Sequence, residues 1–127
     1  MAISTFRQKI AFLKPGTETG LMLEDALVGT TETRTYALSP VRLELGIEPT
    51  GREEVVLPDG SLSYREIGEA DIVVLGLGPT RRRITTTVVF IDHPDDPLAD
   101  AFTILGAQDI EALGLEIDPE NQCLVPM

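Results

Sequence analysis

Residues 84–91 read Ile-Thr-Thr-Thr-Val-Val-Phe-Ile, and this stretch is the clearest indication of fold class in the chain. Seven of its eight side chains branch at Cβ, a shape that fits the pleated surface of a sheet and crowds a helix. The apolar run Ala70–Leu77 precedes it, and Gly78, Pro79 and Arg81–Arg83 lie between the two. Glycine and proline in that place are typical of a turn, so the two runs are predicted to form a β-hairpin.

Similar runs continue on both sides of this hairpin. The chain contains 11 glycines and 9 prolines, which separate short apolar or alternating segments as turns separate strands. The further strand-like runs are Ser4–Leu13, Leu21–Val28, Glu54–Leu57, Leu62–Ile67 and Cys123–Val125. No linker or low-complexity tract divides the 127 residues, so the chain is predicted to form a single mainly β domain over residues 1–127.

Two short helices are predicted within this β background. Ser39 is a suitable N-cap for the first, Pro40 fits its first helical position, and Gly46 can take the left-handed conformation that ends it. The second is predicted over Ala107–Leu113, with Gly114 as its stop.

The two helix ends have similar sequences. The first continues as Leu45-Gly46-Ile47-Glu48-Pro49 and the second as Leu113-Gly114-Leu115-Glu116-Ile117-Asp118-Pro119. Upstream of each helix an apolar pair meets a glycine, in Leu27-Val28-Gly29 and in Ile104-Leu105-Gly106. One interpretation is two related half-units, each a strand that ends at glycine and is followed by a short helix; a chance match is the alternative.

Composition excludes several classes of function. With 21 acidic and 10 basic side chains the net charge is −11, which repels phosphate backbones, so a nucleic-acid partner is not expected. Cys123 is the single cysteine, which rules out a disulfide scaffold. The longest apolar run, Ile72–Leu77, is far shorter than the roughly 20 residues that cross a bilayer. The chain opens without a charged-then-apolar leader, so we expect a soluble, cytoplasmic protein with no membrane partner.

The order of these motifs resembles that of the retropepsin-like aspartic proteases, the single-domain relatives of the retroviral proteases, including short bacterial members. The matching segments are Ala26-Leu27-Val28-Gly29-Thr30, Leu45-Gly46-Ile47, Leu57-Pro58-Asp59-Gly60-Ser61, Ile104-Leu105-Gly106, Leu113–Pro119 and Leu124-Val125-Pro126. The resemblance implies a closed β-barrel of the retropepsin type with one or two short helices. It also implies a homodimer in which each subunit supplies half of one active site. Residues Met1–Phe6 and Cys123–Met127 would then form the dimer interface.

The chain departs from the family at the catalytic position. Where the family has Asp, then Thr or Ser, then Gly and commonly Ala, this sequence has Gly29, Thr30, Thr31 and Glu32. Aspartic proteases cleave amides with two carboxylates about 3 Å apart that share a proton, and Gly29 supplies none. We therefore expect a catalytically inactive pseudoprotease, a homodimeric peptide-binding or scaffolding module without cofactors.

Two routes to activity remain open at the sequence level. In the first, Glu32 supplies a non-standard carboxylate, although the sequence predicts an exposed turn residue there. In the second, the chain pairs with a partner subunit that retains the aspartate. Asp25 lies four residues before Gly29, roughly 13 Å away along an extended strand, which is too far.

The resemblance places a flap at the turn of Pro58, Asp59, Gly60 and Ser61, residues that are also typical of an ordinary hairpin turn. In the family this hairpin closes over substrate. A bound peptide would lie between it and the loop at Gly29–Thr33, held by backbone hydrogen bonds as in strand addition.

Three further groups of residues are candidate sites. The acidic segment 92–100 contains Asp92, His93, Asp95, Asp96 and Asp100, which could hold a divalent cation or give a structural module, but its spacing fits an acidic surface loop better. The arginines at 81–83 are expected to serve solubility or to pair with neighbouring acids, with an anionic partner as the alternative. Cys123 is predicted to be a small buried hydrophobic residue. No set of metal ligands is expected.

Overall fold

The computed structural model describes residues 5–18, 21–30, 32–77, 82–92, 95–96 and 103–127. It is mainly β, with two short helices. The elements in chain order are β1 (Phe6–Leu13), β2 (Met22–Val28), β3 (Thr35–Leu38), α1 (Ser39–Leu45), β4 (Gly51–Val56), β5 (Leu62–Val74), β6 (Arg82–Ile91), α2 (Ala107–Ala112), β7 (Leu115–Asp118) and β8 (Cys123–Pro126). No helix within the described ranges is both long enough and apolar enough to span a membrane.

Six strands form one sheet in the order β2-β1-β5-β6-β3, with β4 also paired to β5. The pairs are antiparallel except β3 with β6, which is parallel. Strand β5 is 13 residues long, and it pairs with β4 through Leu62–Ile67 and with β1 through Asp71–Val74. β6 pairs with one side of β5. On the other side, β4 and β1 pair with successive segments of β5, so the β4–β5 hairpin extends beyond the body of the sheet.

The expected closed barrel is not formed by the strands of the described residues. The sheet ends are β2 and β3, which do not pair with each other. Between them lies Ile104, which makes isolated bridges to Leu27 on one side and to Tyr36 on the other. A single residue has too few backbone groups to form a strand of its own, so the sheet remains open.

Apolar side chains pack on both faces of the sheet. The main cluster lies on one face, around Phe12, Ile72 and Phe90, and includes residues from both helices and from β7 and β8. A second cluster on the other face surrounds Tyr36, and a third small one comprises Ala11, Leu13 and Val73, with Leu75 packed against it. Double-sided burial explains why the ends of β1, β5 and β6 are continuously apolar rather than alternating.

The strand runs expected over Ser4–Leu13, Leu21–Val28, Ile84–Ile91 and Cys123–Val125 are confirmed as β1, β2, β6 and β8, with Ser4 outside the described residues. The runs Leu62–Ile67 and Ala70–Leu77 are not separate, because Gly68 lies within β5 and continues its pairing with β6. Neither β3 nor β7 was predicted from the sequence. Both are short, with four residues each.

Both helices lie where they were expected, with one correction. Ser39 is the first residue of α1 and Leu38 is its N-cap, with no side-chain capping hydrogen bond. Gly46 ends the helix at φ +67° as predicted. The half-unit interpretation fits neither motif in full. β3 separates the first from α1, and the second precedes α2 directly but is an isolated bridge rather than a strand. The turn residues Gly78–Arg81 lie outside the described residues.

Candidate functional site

The first glycine motif follows directly after β2. Gly29 has φ +90°, a left-handed backbone conformation that glycine adopts without steric cost. The hydroxyl of Thr30 accepts a hydrogen bond from the backbone N–H of Glu32 at 3.2 Å. Thr31 lies outside the described residues. The loop is thus a tight backbone turn whose first residue contributes no side chain.

The second glycine motif lies beside the first. The backbone of Thr103 and Leu105 exchanges two hydrogen bonds with Leu27, at 2.8 and 3.0 Å, and Ile104 exchanges two with Tyr36, both at 2.9 Å. The segment 103–106 therefore runs between β2 and β3 and bonds to both. In this way the fold brings together two motifs that are 75 residues apart in sequence, counted from Gly29 to Ile104.

Gly106 marks the closest approach between the two segments. A Cβ atom on this residue would lie 2.3 Å from the backbone carbon of Arg34 and 2.5 Å from the carbonyl oxygen of Thr33. The next two amides, of Ala107 and Gln108, donate to the carbonyl oxygens of Glu32 and Thr33 at 3.1 and 3.0 Å. Glycine is needed here because only backbone without a side chain can pack so tightly.

Asp109 joins three elements beneath this contact. Its buried carboxylate accepts hydrogen bonds from the hydroxyls of Thr35 at 2.5 Å and Thr86 at 2.8 Å. The Thr35 hydroxyl oxygen in turn accepts from the backbone N–H of Gly106 at 3.0 Å. A buried carboxylate is tolerated only when its oxygens are paired, so this network fixes α2 against β3 and β6.

The expected flap-like turn is a hairpin turn in the structure. At the tip, Leu57 and Ser61 are joined by a backbone hydrogen bond of 2.8 Å, and Gly60 turns the chain with φ +87°. The carboxylate of Asp59 accepts from both the amide and the hydroxyl of Ser61. A shallow cleft lined by Pro58, Asp59 and Asp95 separates the tip from the segment after β6.

Two arginine–carboxylate pairs fasten this hairpin to the rest of the molecule. Arg34, just after the glycine loop, donates two hydrogen bonds to Glu53 on β4, at 2.5 and 2.7 Å. Arg65 on β5 donates two to the buried carboxylate of Asp96, at 2.7 and 2.8 Å. The hydrogen bonds from Arg34 lower the pKa of Glu53, and those to Asp96 raise the pKa of Arg65. Bidentate pairs of this kind fix orientation as well as distance.

Tyr36 lies between the two arginines. The guanidinium carbons of Arg34 and Arg65 are 5.9 and 5.5 Å from the centroid of its ring. The charge of Glu32 also acts on Arg65 and contributes to raising its pKa. We call Arg34, Tyr36, Glu53, Arg65 and Asp96 the arginine cluster. It links the glycine loop, the hairpin and the segment after β6.

The two carboxylates considered as substitutes for a catalytic aspartate at residue 29 have different surroundings. Asp25 is exposed on β2 and faces Lys9 in the β1–β2 register. Glu32 is half-buried rather than exposed as expected, and its backbone is engaged by Thr30 and Ala107. In the part of the chain that the structure describes, no three acidic, histidine or cysteine side chains are grouped as metal ligands.

The other sequence candidates have structural contacts. Asp96 of the acidic segment pairs with Arg65, while His93 and residues 97–100 lie outside the described residues. Arg83 pairs with Asp71 and Glu18, and Arg82 donates to the carbonyl oxygens of Leu113 and Gly114 at 3.0 and 3.3 Å. Cys123 is half-buried with a free thiol.

Sequence reasoning missed the arginine cluster and the Asp109 network. Their hydrogen-bonded side chains are 19 or more residues apart in sequence, the nearest pair being Arg34 and Glu53. They lie on elements whose pairing depends on the tertiary fold. Arg34 lies between Thr33 and Thr35, and Arg65 lies between Tyr64 and Glu66, so no local apolar pattern indicates that either charge has a buried partner. Compared with models of known protein families and with curated proteins, the chain matches none.

Proposed function

We propose that this chain is a retropepsin-like pseudoprotease that binds an extended peptide without hydrolysing it, as a homodimer. The peptide would lie between the Gly29 loop and the inner face of the β4–β5 hairpin. The observation that carries the proposal is Gly29, which supplies the loop with its left-handed turn at φ +90° and supplies no carboxylate.

The contacts of the glycine motifs support the retropepsin type of fold. The segment 103–106 bonds to both ends of the sheet, and Gly106 packs against the loop that follows Gly29. In the proposed closed architecture, this segment would complete the ring of strands through Ile104.

The hairpin supports the proposed binding role. The side chains of Glu53 and Arg65, which are opposite one another in the β4–β5 register, lie on its inner face, and both belong to the arginine cluster. That face therefore offers polar side chains of fixed orientation. Among the described strands β4 pairs with β5 alone, so its outer edge offers backbone groups to an extended ligand.

Strand β8 supports the proposed dimer. It forms the end of a two-stranded sheet with β7, and an edge strand has unpaired backbone groups that favour pairing with a second chain. This agrees with the interface expected at Cys123–Met127. The first four residues of the other expected segment, Met1–Phe6, lie outside the described residues.

Three measurements test the proposal. Incubation with a mixed peptide library between pH 3 and 7 is expected to give no cleavage, and light scattering is expected to give the mass of a dimer. The double substitution Gly29→Asp with Thr31→Gly should then produce slow cleavage at acidic pH, because two carboxylates would meet at the twofold axis.

The alternatives give different results. Cleavage by the unmodified chain that is lost in Glu32→Gln would assign the non-standard carboxylate and contradict the pseudoprotease. Cleavage only after mixing with an active relative would indicate the heterodimer. Calcium, magnesium or zinc binding by calorimetry, lost in Asp95→Asn, would favour the metal-binding module instead.

A further inference from the structure

On the face of the sheet opposite the main apolar cluster, a row of apolar side chains ends at an exposed edge. In register, Leu23 on β2 faces Ala11 on β1, and Ala11 faces Val73 on β5. Residues directly opposite one another share a face of the sheet. This row forms the floor of a groove of about 400 Å³ whose aliphatic lining comprises Ala11, Leu13, Leu21, Leu23, Val73 and Leu75.

The groove is closed at one end and open at the other. At the β6 end, Val73 faces Arg83, whose guanidinium bonds to Asp71 at 2.6 Å and to Glu18 at 2.7 Å. At the β2 end, Leu23 is 55% exposed and Leu21 47% exposed. The apolar row thus reaches the edge of the sheet with its last side chains uncovered.

In the described part of the chain this edge has no neighbouring strand along most of its length. There β2 pairs with β1 alone, and on its other side only Leu27, near its end, bridges to Ile104. From Met22 to Ala26 no outward backbone group bonds to the described backbone, and the Asp25 carbonyl accepts a hydrogen bond from Arg7 at 3.2 Å, so the stretch around Leu23 is the part that an added strand could pair with. Natural edge strands usually carry features that prevent such pairing, and two exposed leucines are the opposite of such a feature.

Charge indicates which strand would fit. β2 contains Glu24 and Asp25 and no basic residue, in a chain of net charge −11. Asp25 faces Lys9 of β1, and Arg7 donates to the Asp25 carbonyl. Glu24, on the face opposite Leu23, has its pKa raised first by burial and then by repulsion from Asp25. A second copy would bring two more carboxylates to this edge, so self-pairing is disfavoured.

We propose that the outer edge of β2 docks an extended segment of a partner protein in which aliphatic and basic side chains alternate. Its aliphatic side chains would continue the row beside Leu21 and Leu23, and its basic side chains would lie on the other face beside Glu24. Leu23 is six residues from Gly29, roughly 20 Å along a strand, so this surface is separate from the proposed peptide cleft.

The test is a fluorescence anisotropy titration of the full chain with three labelled peptides. The first is Lys-Val-Lys-Leu-Lys-Val-Lys, the second replaces its aliphatic residues with serine at the same charge, and the third replaces lysine with glutamate. We expect the first to bind at least about tenfold more tightly than either of the others.

Leu23→Lys and Leu62→Lys are matched variants, since both add one positive charge at a leucine that is more than half exposed, 55% and 58%. Leu23→Lys should weaken binding of the first peptide by about tenfold or more, and Leu62→Lys by less than about twofold. Unchanged melting temperatures would confirm that both variants fold.

Four outcomes would overturn the proposal. These are equal loss in the two variants, equal binding of the serine peptide, no binding of the first peptide at about 1 mM, and self-association that Leu23→Lys abolishes. The last would assign the edge to a second copy of the chain.

Discussion

Gly106 is the residue of the candidate site with the least space around it. Gly106→Ala would place a methyl group 2.3 Å from backbone of Arg34, which no side-chain rotation can relieve. We expect a loss of more than about 3 kcal/mol in the free energy of unfolding, measured by urea denaturation. Gly51→Ala is the control, because its Cβ would meet only Ile67 at an ordinary 3.4 Å. A loss in Gly51→Ala as large as that in Gly106→Ala would contradict this account.

Asp109 is the buried residue whose hydrogen bonds hold α2 against β3 and β6. Asp109→Ala leaves the hydroxyls of Thr35 and Thr86 without their acceptor, and we expect destabilisation by about 2–4 kcal/mol in the same assay. Glu111→Ala, at an exposed position of the same helix, should change stability by less than about 0.5 kcal/mol. A small effect of Asp109→Ala would mean that water replaces the carboxylate at little cost.

At the level of elements, the β4–β5 hairpin is held by the ion pair between Arg34 and Glu53. The pKa of Glu53 is lowered from its ordinary value of 4.5, so its ionised form stabilises the folded position. That contribution is complete above about pH 4.5 and is lost as the pH falls through the lowered pKa. Both side chains are about one-third exposed, 38% and 34%, which limits the contribution to about 1 kcal/mol or less.

Glu53→Gln should therefore raise amide hydrogen exchange in β4 at pH 7 by up to about fivefold, with no change in β1. Lowering the pH to about 3 should decrease the protection factors of β4 in the unmodified chain and not in the variant. Glu54→Gln, on the opposite face of the same strand, is the control. Equal exchange in the two variants would show that the ion pair does not hold the hairpin.

The length and side-chain pattern of an element decide whether it can be predicted from sequence. The branched run at 84–91 and the glycine stops at Gly46 and Gly114 carry local signals, and these elements were confirmed. β3 is four residues long and is defined by its parallel pairing with β6, a contact between distant segments. Gly68 suggested a break, yet β5 passes through it because β6 continues the ladder there, with Gly68 opposite Val88.

For the molecule as a whole, the sequence marks the glycine motifs but not the ion pairs around them. Gly29 and Ile104 carry recognisable motifs, and backbone hydrogen bonds bring their segments together. The pairing of Arg65 with Asp96 depends on how the hairpin folds over the segment after β6, which no local pattern encodes. Predictions of ion pairs therefore need the tertiary fold, whereas predictions of turns need only a few residues.

The net charge of −11 gives a prediction for the proposed dimer as a whole. Two copies repel one another over a screening length of about 30 Å at 0.01 M salt and about 8 Å at 0.15 M. If apolar and backbone contacts of the terminal strands hold the dimer, its dissociation constant should decrease severalfold as the salt concentration rises over this range. Sedimentation velocity across a dilution series measures this directly.

Charge reversal at an exposed position outside β8 supplies the control for this salt effect. Glu44→Lys, exposed on α1, reduces the repulsion of each copy and should tighten the dimer at low salt while changing little at high salt. A dimer that dissociates as salt increases would instead be held by ion pairs across its interface. In that case the terminal apolar strands would not be the main contact, and the interface would have to be sought among the charged surfaces.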